Sequence, residues 1–386
     1  MDFRNYTFDI NINDSLLEME PGEYSFSLRD NIFDLFPILN FEINDPTGLL
    51  SEYLLFTPGV NIDIAYGLAD STLKNNFIID YSEVPEQQGP GYLNGNIKVK
   101  AKHSFLNLQE KISYSYTGNP TNIVSELISP FTFYKTHLES SVNNRTWYRP
   151  LQTQKDFIEQ ILLENVYSNS SNDTPFFCFI DNNNEFHFES FFTMMNKPPI
   201  EELVLEAGTV DNFSPNMILS FLPFWETYSH INKNLTKNFY TYNKSDFSFN
   251  TEEFSITEIQ PGTFPVVKDT KLISDYEYYS DKYELPFEYD QMGRKLFSFR
   301  DSLLVQKCLV TVPLNVKLTA GKTVNLSISA ETEDKSSISY SGKYLIERSD
   351  HTWNKNTQTG YTQVIVGRKN NELPNNYLLK EKFYTP

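Results

Sequence analysis

The sequence predicts a mainly β protein of the α+β class, in which two antiparallel β-barrels carry α/β insertions. Short segments near both ends of the chain alternate apolar and polar residues with a period of two, which is typical of half-buried strands. The composition combines 31 Phe and 24 Tyr with little alanine, and this favours strands and turns over helices. An AT-rich coding genome would explain part of that bias equally well.

Residues 1–113 are predicted to form the first barrel. Five segments in this region are short, closely spaced and rich in alternating residues, as in a small antiparallel barrel or sandwich. They are Tyr24–Leu28, Phe41–Ile43, Val60–Tyr66, Phe77–Tyr81 and Asn96–His103.

Residues 114–203 are predicted to form an α/β insertion, because the apolar period changes near Asn119. Asn119 can cap a helix that starts at Pro120, and Thr153 can cap a second helix over residues 154–166. A Phe-rich hairpin follows, whose strands run over 175–180 and 185–190 around a polar turn.

Residues 204–236 and 308–370 together are predicted to form a second, discontinuous barrel. A tight turn at Ala320-Gly321 precedes a strand in which Val324, Leu326 and Ile328 alternate with polar residues. Residues 237–307 form a second insertion with a helix predicted over 291–307. We expect the two barrels to share one topology.

The C-terminal tail, residues 371–386, contains too many large apolar side chains for a solvated end. Two arrangements are open. The tail either packs on its own barrel or acts as a strap that docks on a neighbouring subunit or on another partner protein.

The net charge of -18 and the pI of about 4.7 argue against a nucleic-acid grip, which requires Lys and Arg against phosphates. No signal peptide is predicted, and the longest apolar stretch, Met217–Trp225, is too short to span a membrane.

The sequence presents no catalytic, cofactor-binding or metal-binding motif, so no site residue is predicted and no enzymatic activity is expected. None of the histidines lies at metal spacing from another; they are His103, His137, His187, His230 and His351. We expect His187 to face the surface or to be hydrogen-bonded, and His351 to pack or hydrogen-bond within the barrel.

The cysteines and the carboxylate clusters are also interpreted as structural or solvated groups and not as binding sites. Cys178 and Cys308 are expected to be small buried hydrophobes, with a disulfide or a metal pair as the alternatives. Glu201-Glu202 and the acidic residues 331–334 are interpreted as solvated charge clusters. Residues 9–14 lack the Gly and the distal Glu of a calcium loop.

The order of these segments carries a resemblance. Asn315–Ser329, Ser341–His351 and Gly360–Arg368 resemble the last barrel of baseplate central hub proteins of contractile-tailed bacteriophages, and of the hub portion of type VI secretion spike proteins. Leu28–Asp30 and Gly59–Ile64 resemble the first, tube-type barrel of the same proteins.

The resemblance implies a structural virion protein of the tail tip. It implies a homotrimeric ring that acts as a symmetry adaptor between a six-fold tail tube and a three-fold central spike, with other baseplate proteins as partners. It also implies assembly in the host cytoplasm and a channel for viral genome ejection, without stable nucleic-acid binding or a cofactor.

A carbohydrate-binding or hydrolytic β-rich tail module is the alternative, since aromatic residues and acidic pairs are abundant. Stacking platforms for sugars are usually exposed Trp or Tyr, and Trp147, Trp225 and Trp353 are scattered along the chain.

Overall fold

The structure is a computed structural model, and its description covers the greater part of the chain up to residue 368. The described residues are 6–13, 15–18, 23–46, 48, 50, 56–68, 71–83, 95–103, 110–142, 144–166, 168, 175–205, 214, 216–224, 236–243, 248–255, 273–280, 303–304, 306–328 and 340–368.

Strands dominate the described chain, and most are paired antiparallel, which confirms the mainly β class. The strands are β1 (Tyr6–Ile12), β2 (Ser15–Leu17), β3 (Tyr24–Asn31), β4 (Ile38–Asp45), β5 (Asn61–Leu68), β6 (Ser71–Glu83), β7 (Gly95–His103), β8 (Ile112–Gly118), β9 (Lys135–Leu138), β10 (Arg145–Gln152), β11 (Phe176–Ile180), β12 (Glu185–Ser190), β13 (Glu201–Leu205), β14 (Ser220–Phe224), β15 (Thr236–Asn243), β16 (Ser248–Ser255), β17 (Ile273–Ser280), β18 (Gln306–Pro313), β19 (Thr323–Ile328), β20 (Gly342–Asn354) and β21 (Thr359–Arg368).

Three helices of the described residues lie near the middle of the chain. They are α1 (Pro120–Ile128), α2 (Gln154–Phe157), which continues as a π-helix (Ile158–Leu162) and a 3-10 turn (Leu163–Asn165), and α3 (Phe191–Asn196). No helix of the described chain is long and apolar enough to cross a membrane.

Thirteen strands form one continuous sheet that contains two sets of strands with the same order. The N-terminal set pairs as β1-β5-β6-β7-β4-β3, and the C-terminal set pairs as β13-β19-β20-β21-β18-β14. The strands of the two sets correspond one to one in chain order. The strands β1, β3, β4, β5, β6 and β7 correspond to β13, β14, β18, β19, β20 and β21, and corresponding strands have corresponding neighbours in the sheet. The two sets differ in one pairing, since β1 and β5 are antiparallel whereas β13 and β19 are parallel.

A matching irregularity supports this correspondence. The pairing of β6 with β7 shifts between Ile79 and Tyr81, and the pairing of β20 with β21 shifts between Ile346 and Arg348. A β-bulge therefore interrupts the same pairing in both sets, and the two bulged strands, β6 and β20, each have 13 residues. The prediction that the two segments share a topology is confirmed in the order of their strands.

The two sets meet where β3 pairs antiparallel with β20. Their cores are also linked, because Leu314, Val316 and Trp353 from the C-terminal set pack into the core of the N-terminal set. The remaining core of the C-terminal set is built from alternating side chains of β18, β19, β20 and β21, such as Val310, Leu326, Ile346 and Val364.

The insertion between the two sets has its own core. Both predicted helix starts are confirmed, since the Asn119 side chain accepts the N–H of Asn122 and the Thr153 side chain accepts the N–H of Asp156. The second helix is α-helical only over its first four residues. The predicted hairpin is present as β11 and β12, and β9 joins it as a parallel neighbour of β12.

The second insertion is described only in part. It contributes a separate three-stranded sheet in the order β16-β15-β17. The helix predicted over residues 291–307 is wrong at its end, because Gln306 and Lys307 belong to β18 and extend into its ladder with β21. Residues 291–302 and the tail 371–386 lie outside the described residues.

Candidate functional site

One buried carboxylate joins the three parts of the molecule. Asp30, at the end of β3, is 1% exposed. Its Oδ2 accepts the backbone N–H of Asn182 at 2.7 Å and of Ala320 at 3.2 Å, and its Oδ1 accepts the N–H of Ser349 at 3.2 Å. The donors belong to the turn of the insertion hairpin, to the turn before β19 and to β20. Asp30 therefore fixes these three elements relative to β3.

The pKa of Asp30 is strongly shifted by its surroundings. Burial raises the pKa of Asp30 well above its usual range, and the charges of Asp181 and Asp350 act in the same direction. The backbone N–H groups of Asn182 and Ala320 oppose this rise because they stabilise the ionised form.

The hairpin turn after β11 is held from both strand sets. Asn75 of β6 donates its Nδ2–H to the Asn182 carbonyl at 2.7 Å, and His103 Nε2 lies 2.9 Å from Asn184 Oδ1. From the C-terminal set, the Thr319 hydroxyl donates to Asp181 Oδ2 at 2.8 Å. The turn predicted from its polar residues is thus an anchor between the insertion and the large sheet.

A pair of stacked histidines lies beside this turn. Parallel pairing of β9 and β12 places His137 directly beside His187, and their rings are 4.6 Å apart at an angle of 6°. Phe179 stacks on His187 at 4.6 Å and 7°. His187 is 1% exposed.

His187 lies between two carboxylates. Its Nδ1 is 3.1 Å from Glu189 Oε2, and its Nε2 is 3.5 Å from Asp181 Oδ2. Burial alone would lower the pKa of His187, but the bonds with Asp181 and Glu189 outweigh burial, so the pKa is raised. These contacts favour the imidazolium form.

Two lysines complete the cluster. Lys322 Nζ lies 3.5 Å from both Asp181 Oδ2 and Glu185 Oε2, and Lys197 Nζ contacts Glu189. Although burial opposes ionisation of Asp181, the bond with His187 and the charge of Lys322 lower its pKa to about 2. Three carboxylates therefore face two ammonium groups and a histidine whose pKa is raised, so opposite charges of the cluster offset one another.

The same side chains have the composition of a metal site. Ligand atoms of Asp181, Glu185 and His187 lie within 4.8 Å of one another, as do those of His137, His187 and Glu189. However, Lys322 and Lys197 already neutralise these carboxylates. A divalent cation would have to displace an ammonium group, so the arrangement is best described as a salt-bridge cluster.

A groove opens above the cluster, with a volume of about 1180 Å³. Its wall includes β6 of the N-terminal set, the segment 132–137 and the hairpin turn of the insertion, and the segment 316–323 of the C-terminal set. His137, His187 and Glu185 line its floor. Residues from all three parts of the molecule therefore line one groove.

Solved structures of other proteins share this architecture. A tail protein from Neisseria meningitidis MC58 superposes with a TM-score of 0.58 at 10% identity, over 94% of this chain and 97% of that chain. The 43 kDa tail protein of prophage MuSo2 from Shewanella oneidensis gives 0.57 at 9% identity, over 94% and 96%. The chain has the fold of phage tail proteins.

A third solved structure shares this tail-protein fold. The E. coli c3393 protein, a component of the type VI secretion system, gives a TM-score of 0.52 at 9% identity, over 93% of this chain and 76% of that chain. The resemblance predicted from the sequence is therefore confirmed at the level of the fold. No family model and no curated protein matches the sequence.

His351 has a structural role within the C-terminal strand set. His351 is fully buried, and its Nδ1 lies 2.9 Å from Thr362 Oγ1, which confirms packing and hydrogen bonding in the C-terminal set. Of the two alternatives for His187, the hydrogen-bonded one is confirmed, because the side chain is buried and contacts Glu189. His230 lies outside the described residues.

Other predicted features are similarly resolved. Cys178 and Cys308 are free and buried, so the disulfide alternative is wrong. Glu201 is not simply solvated, because it accepts from Asn216 and Lys317. Residues 331–334 lie outside the described residues.

The tryptophan distribution bears on the carbohydrate alternative. Trp147 and Trp353 are each 2% exposed and cannot serve as stacking platforms. Trp225 lies outside the described residues.

Sequence reasoning missed the salt-bridge cluster. His137 and His187 become neighbours only through the parallel pairing of two strands in one small sheet, and no spacing in the sequence indicates that pairing.

Proposed function

We propose that this protein is a structural hub of a phage tail tip or a related injection assembly. Three copies close a ring in which the N-terminal and C-terminal strand sets alternate, so that six similar units continue a six-fold tail tube. The other face seats a three-fold central spike, and other baseplate proteins surround the ring. The role is mechanical, without an enzymatic step or cofactor.

The observation that carries the proposal is the repeated strand order together with the junction between β3 and β20. β3 is the last strand of the N-terminal set, and β20 is the counterpart of β6. The equivalent junction for the C-terminal set joins its last strand, β14, to β6 of another copy. A junction that repeats in this way around an axis closes a ring when the rotation allows it.

Both edges that this second junction requires are open in the described chain. No described strand pairs with the outer edge of β14, and β5 accompanies β6 only as far as Ile78. On β20, the counterpart of β6, β19 pairs only as far as Leu345, and β3 pairs with the segment that follows. An open strand edge is a template for pairing with another chain.

Exposed apolar surface marks the same edge. Leu222 of β14 pairs with Leu309 of β18, and its side chain is 55% exposed. A large apolar side chain left exposed on a strand with an open edge is expected at a subunit interface.

The ring would enclose a channel for genome passage. A net charge of -18 favours a neutral to acidic lumen, which repels phosphate and lets DNA pass without being retained.

The proposed subunit has the following divisions. The N-terminal barrel spans 1–113 and the α/β insertion spans 114–203. The C-terminal barrel combines 204–236 with 308–370, the second insertion spans 237–307 and the tail spans 371–386.

The mass of the protein in solution tests the ring. We expect light scattering to give a trimer for the wild type and a monomer for Leu222→Asp, because a buried carboxylate at the strand edge is unfavourable. Leu16→Asp is the matched control, since Leu16 is 57% exposed on β2, away from the proposed junction. Six copies around the axis of an assembled tail, or equal effects of both substitutions, would contradict the proposal.

A further inference from the structure

The lining of the groove has a charge opposite to that of the whole chain. The chain has 50 acidic and 32 basic residues, yet among the described residues that line the groove only Glu185 carries a carboxylate. The lysines that line it come from all three parts of the molecule; they are Lys74, Lys135, Lys197, Lys317 and Lys322. This concentration of positive charge on an acidic protein indicates a site for a negatively charged ligand.

The lysines divide into two groups by their partners. Lys197 and Lys322 belong to the salt-bridge cluster of the floor. On the rim, Lys317 is 64% exposed and pairs with Glu201 at 3.2 Å. Such an exposed ion pair is weak and can exchange partners.

Lys74 and Lys135 are the other rim lysines, and both are exposed. No salt bridge within the described part of the chain involves either of them. Their ammonium groups, one on β6 and one on β9, face the same groove and are available to an incoming carboxylate.

Apolar side chains alternate with the rim lysines. Tyr134 is 82% exposed and Ile200 is 39% exposed, and both line the groove next to Pro198. A ligand that matches this rim therefore combines negative charges with aromatic or aliphatic groups. The volume of about 1180 Å³ also exceeds the roughly 300–1,000 Å³ of typical small-molecule sites and suits a length of polymer.

A nucleic acid matches the rim less well than a polypeptide does. Glu185 lines the groove and Asp181 and Glu189 lie directly behind it, so a continuous polyphosphate meets carboxylates as well as lysines. An acidic polypeptide can place separate carboxylates on the rim lysines and keep its apolar side chains for Tyr134 and Ile200.

We propose that this groove binds an acidic, aromatic-containing segment of a partner protein, with Lys74 and Lys135 as the main charge contacts. The proposal concerns a single copy of the chain and does not depend on ring formation. It therefore adds an attachment point to the hub, distinct from the strand edges that would close the ring.

The test uses a fluorescein-labelled ten-residue peptide of five glutamates, three tyrosines and two serines, and a second peptide with glutamine in place of glutamate. Fluorescence anisotropy of the full-length protein is followed at low and at physiological ionic strength. We expect the acidic peptide to bind, the neutral peptide to bind at least about ten-fold more weakly, and affinity to fall with salt, because exposed charge pairs are screened.

Variants locate the contacts. Lys74→Gln combined with Lys135→Gln should weaken binding roughly five- to twenty-fold, the effect of losing two exposed charge pairs. The matched control combines Lys98→Gln with Lys100→Gln, two exposed lysines of β7 outside the groove, and should change affinity less than about two-fold.

Three outcomes would overturn the proposal. They are the absence of acidic-peptide binding, equal weakening by both pairs of substitutions, and tighter binding of a duplex DNA that the groove variant abolishes. Light scattering on the same samples reports the oligomeric state separately, so a failure of the ring and a failure of the groove are distinguishable.

Discussion

At Gly321 the turn before β19 packs closely against the insertion. Its φ is +77°, and a Cβ built on it would lie 2.4 Å from Cζ and 3.1 Å from Cε2 of Phe179. Phe179 is fully buried and stacks on His187, so its ring cannot move away freely. Gly321→Ala should therefore disturb both the turn and the packing of the insertion hairpin.

The two contributions can be estimated separately. A left-handed backbone at a non-glycine residue costs about 1–2 kcal/mol. Overpacking of a tightly packed core costs about 1–3 kcal/mol more. We expect Gly321→Ala to lower the free energy of unfolding by roughly 2–5 kcal/mol in total.

Gly59→Ala is the matched control. Gly59 has a φ of +89°, and a Cβ at this position would meet no heavy atom within 4 Å. Only the backbone contribution applies, so the loss should be about 1–2 kcal/mol. The difference between the two variants isolates the contact with Phe179.

Urea unfolding of the two variants and the wild type measures these losses. A double-mutant cycle with Phe179→Leu adds a second test, because a smaller side chain leaves room for the new methyl group. We expect the two changes to be non-additive by about 0.5–3 kcal/mol. A loss for Gly321→Ala no larger than that for Gly59→Ala, or an additive cycle, would show that Phe179 does not resist a methyl group at this position.

Three further predictions concern pH, capping and the tail. Burial lowers the pKa of His351 to about 3, so the unfolded chain binds a proton that the folded chain rejects. Stability should fall from about pH 6.5 towards pH 3 at roughly 1 kcal/mol per pH unit, and His351→Asn should flatten this slope in urea unfolding. Thr153→Ala should cost about 1 kcal/mol through the lost N-cap, measured by thermal unfolding, whereas Thr153→Ser should cost less. Deleting residues 371–386 should leave the unfolding of the monomer unchanged and weaken trimer or spike association in light scattering; loss of subunit stability with normal assembly would show that the tail packs on its own chain.

Local features of this chain were predictable because their physical causes are local. Alternation located β3 to β7 and β19 to β21, since side chains on a strand point to opposite faces in turn. The pairs Asn119-Pro120 and Thr153-Asp156 located both helix starts, since a cap needs only a side chain and the next turn of backbone. The prediction of a helix over residues 291–307 was wrong at Gln306, which belongs to a strand. The apolar stretch there is too short for its periodicity to distinguish a strand from a helix.

The candidate site was beyond the reach of the sequence because each of its contacts joins distant segments. Asp30 receives an N–H from Ser349, which is 319 residues away, and His187 meets His137 through a strand pairing that no spacing encodes. The groove lysines likewise come from three separate regions. Strand positions and helix caps were set by the sequence itself, because their energies depend on neighbouring residues. The pairing of β3 with β20, the salt-bridge cluster and the groove were decided only by the tertiary structure, because burial and charge partners exist only after distant strands have met.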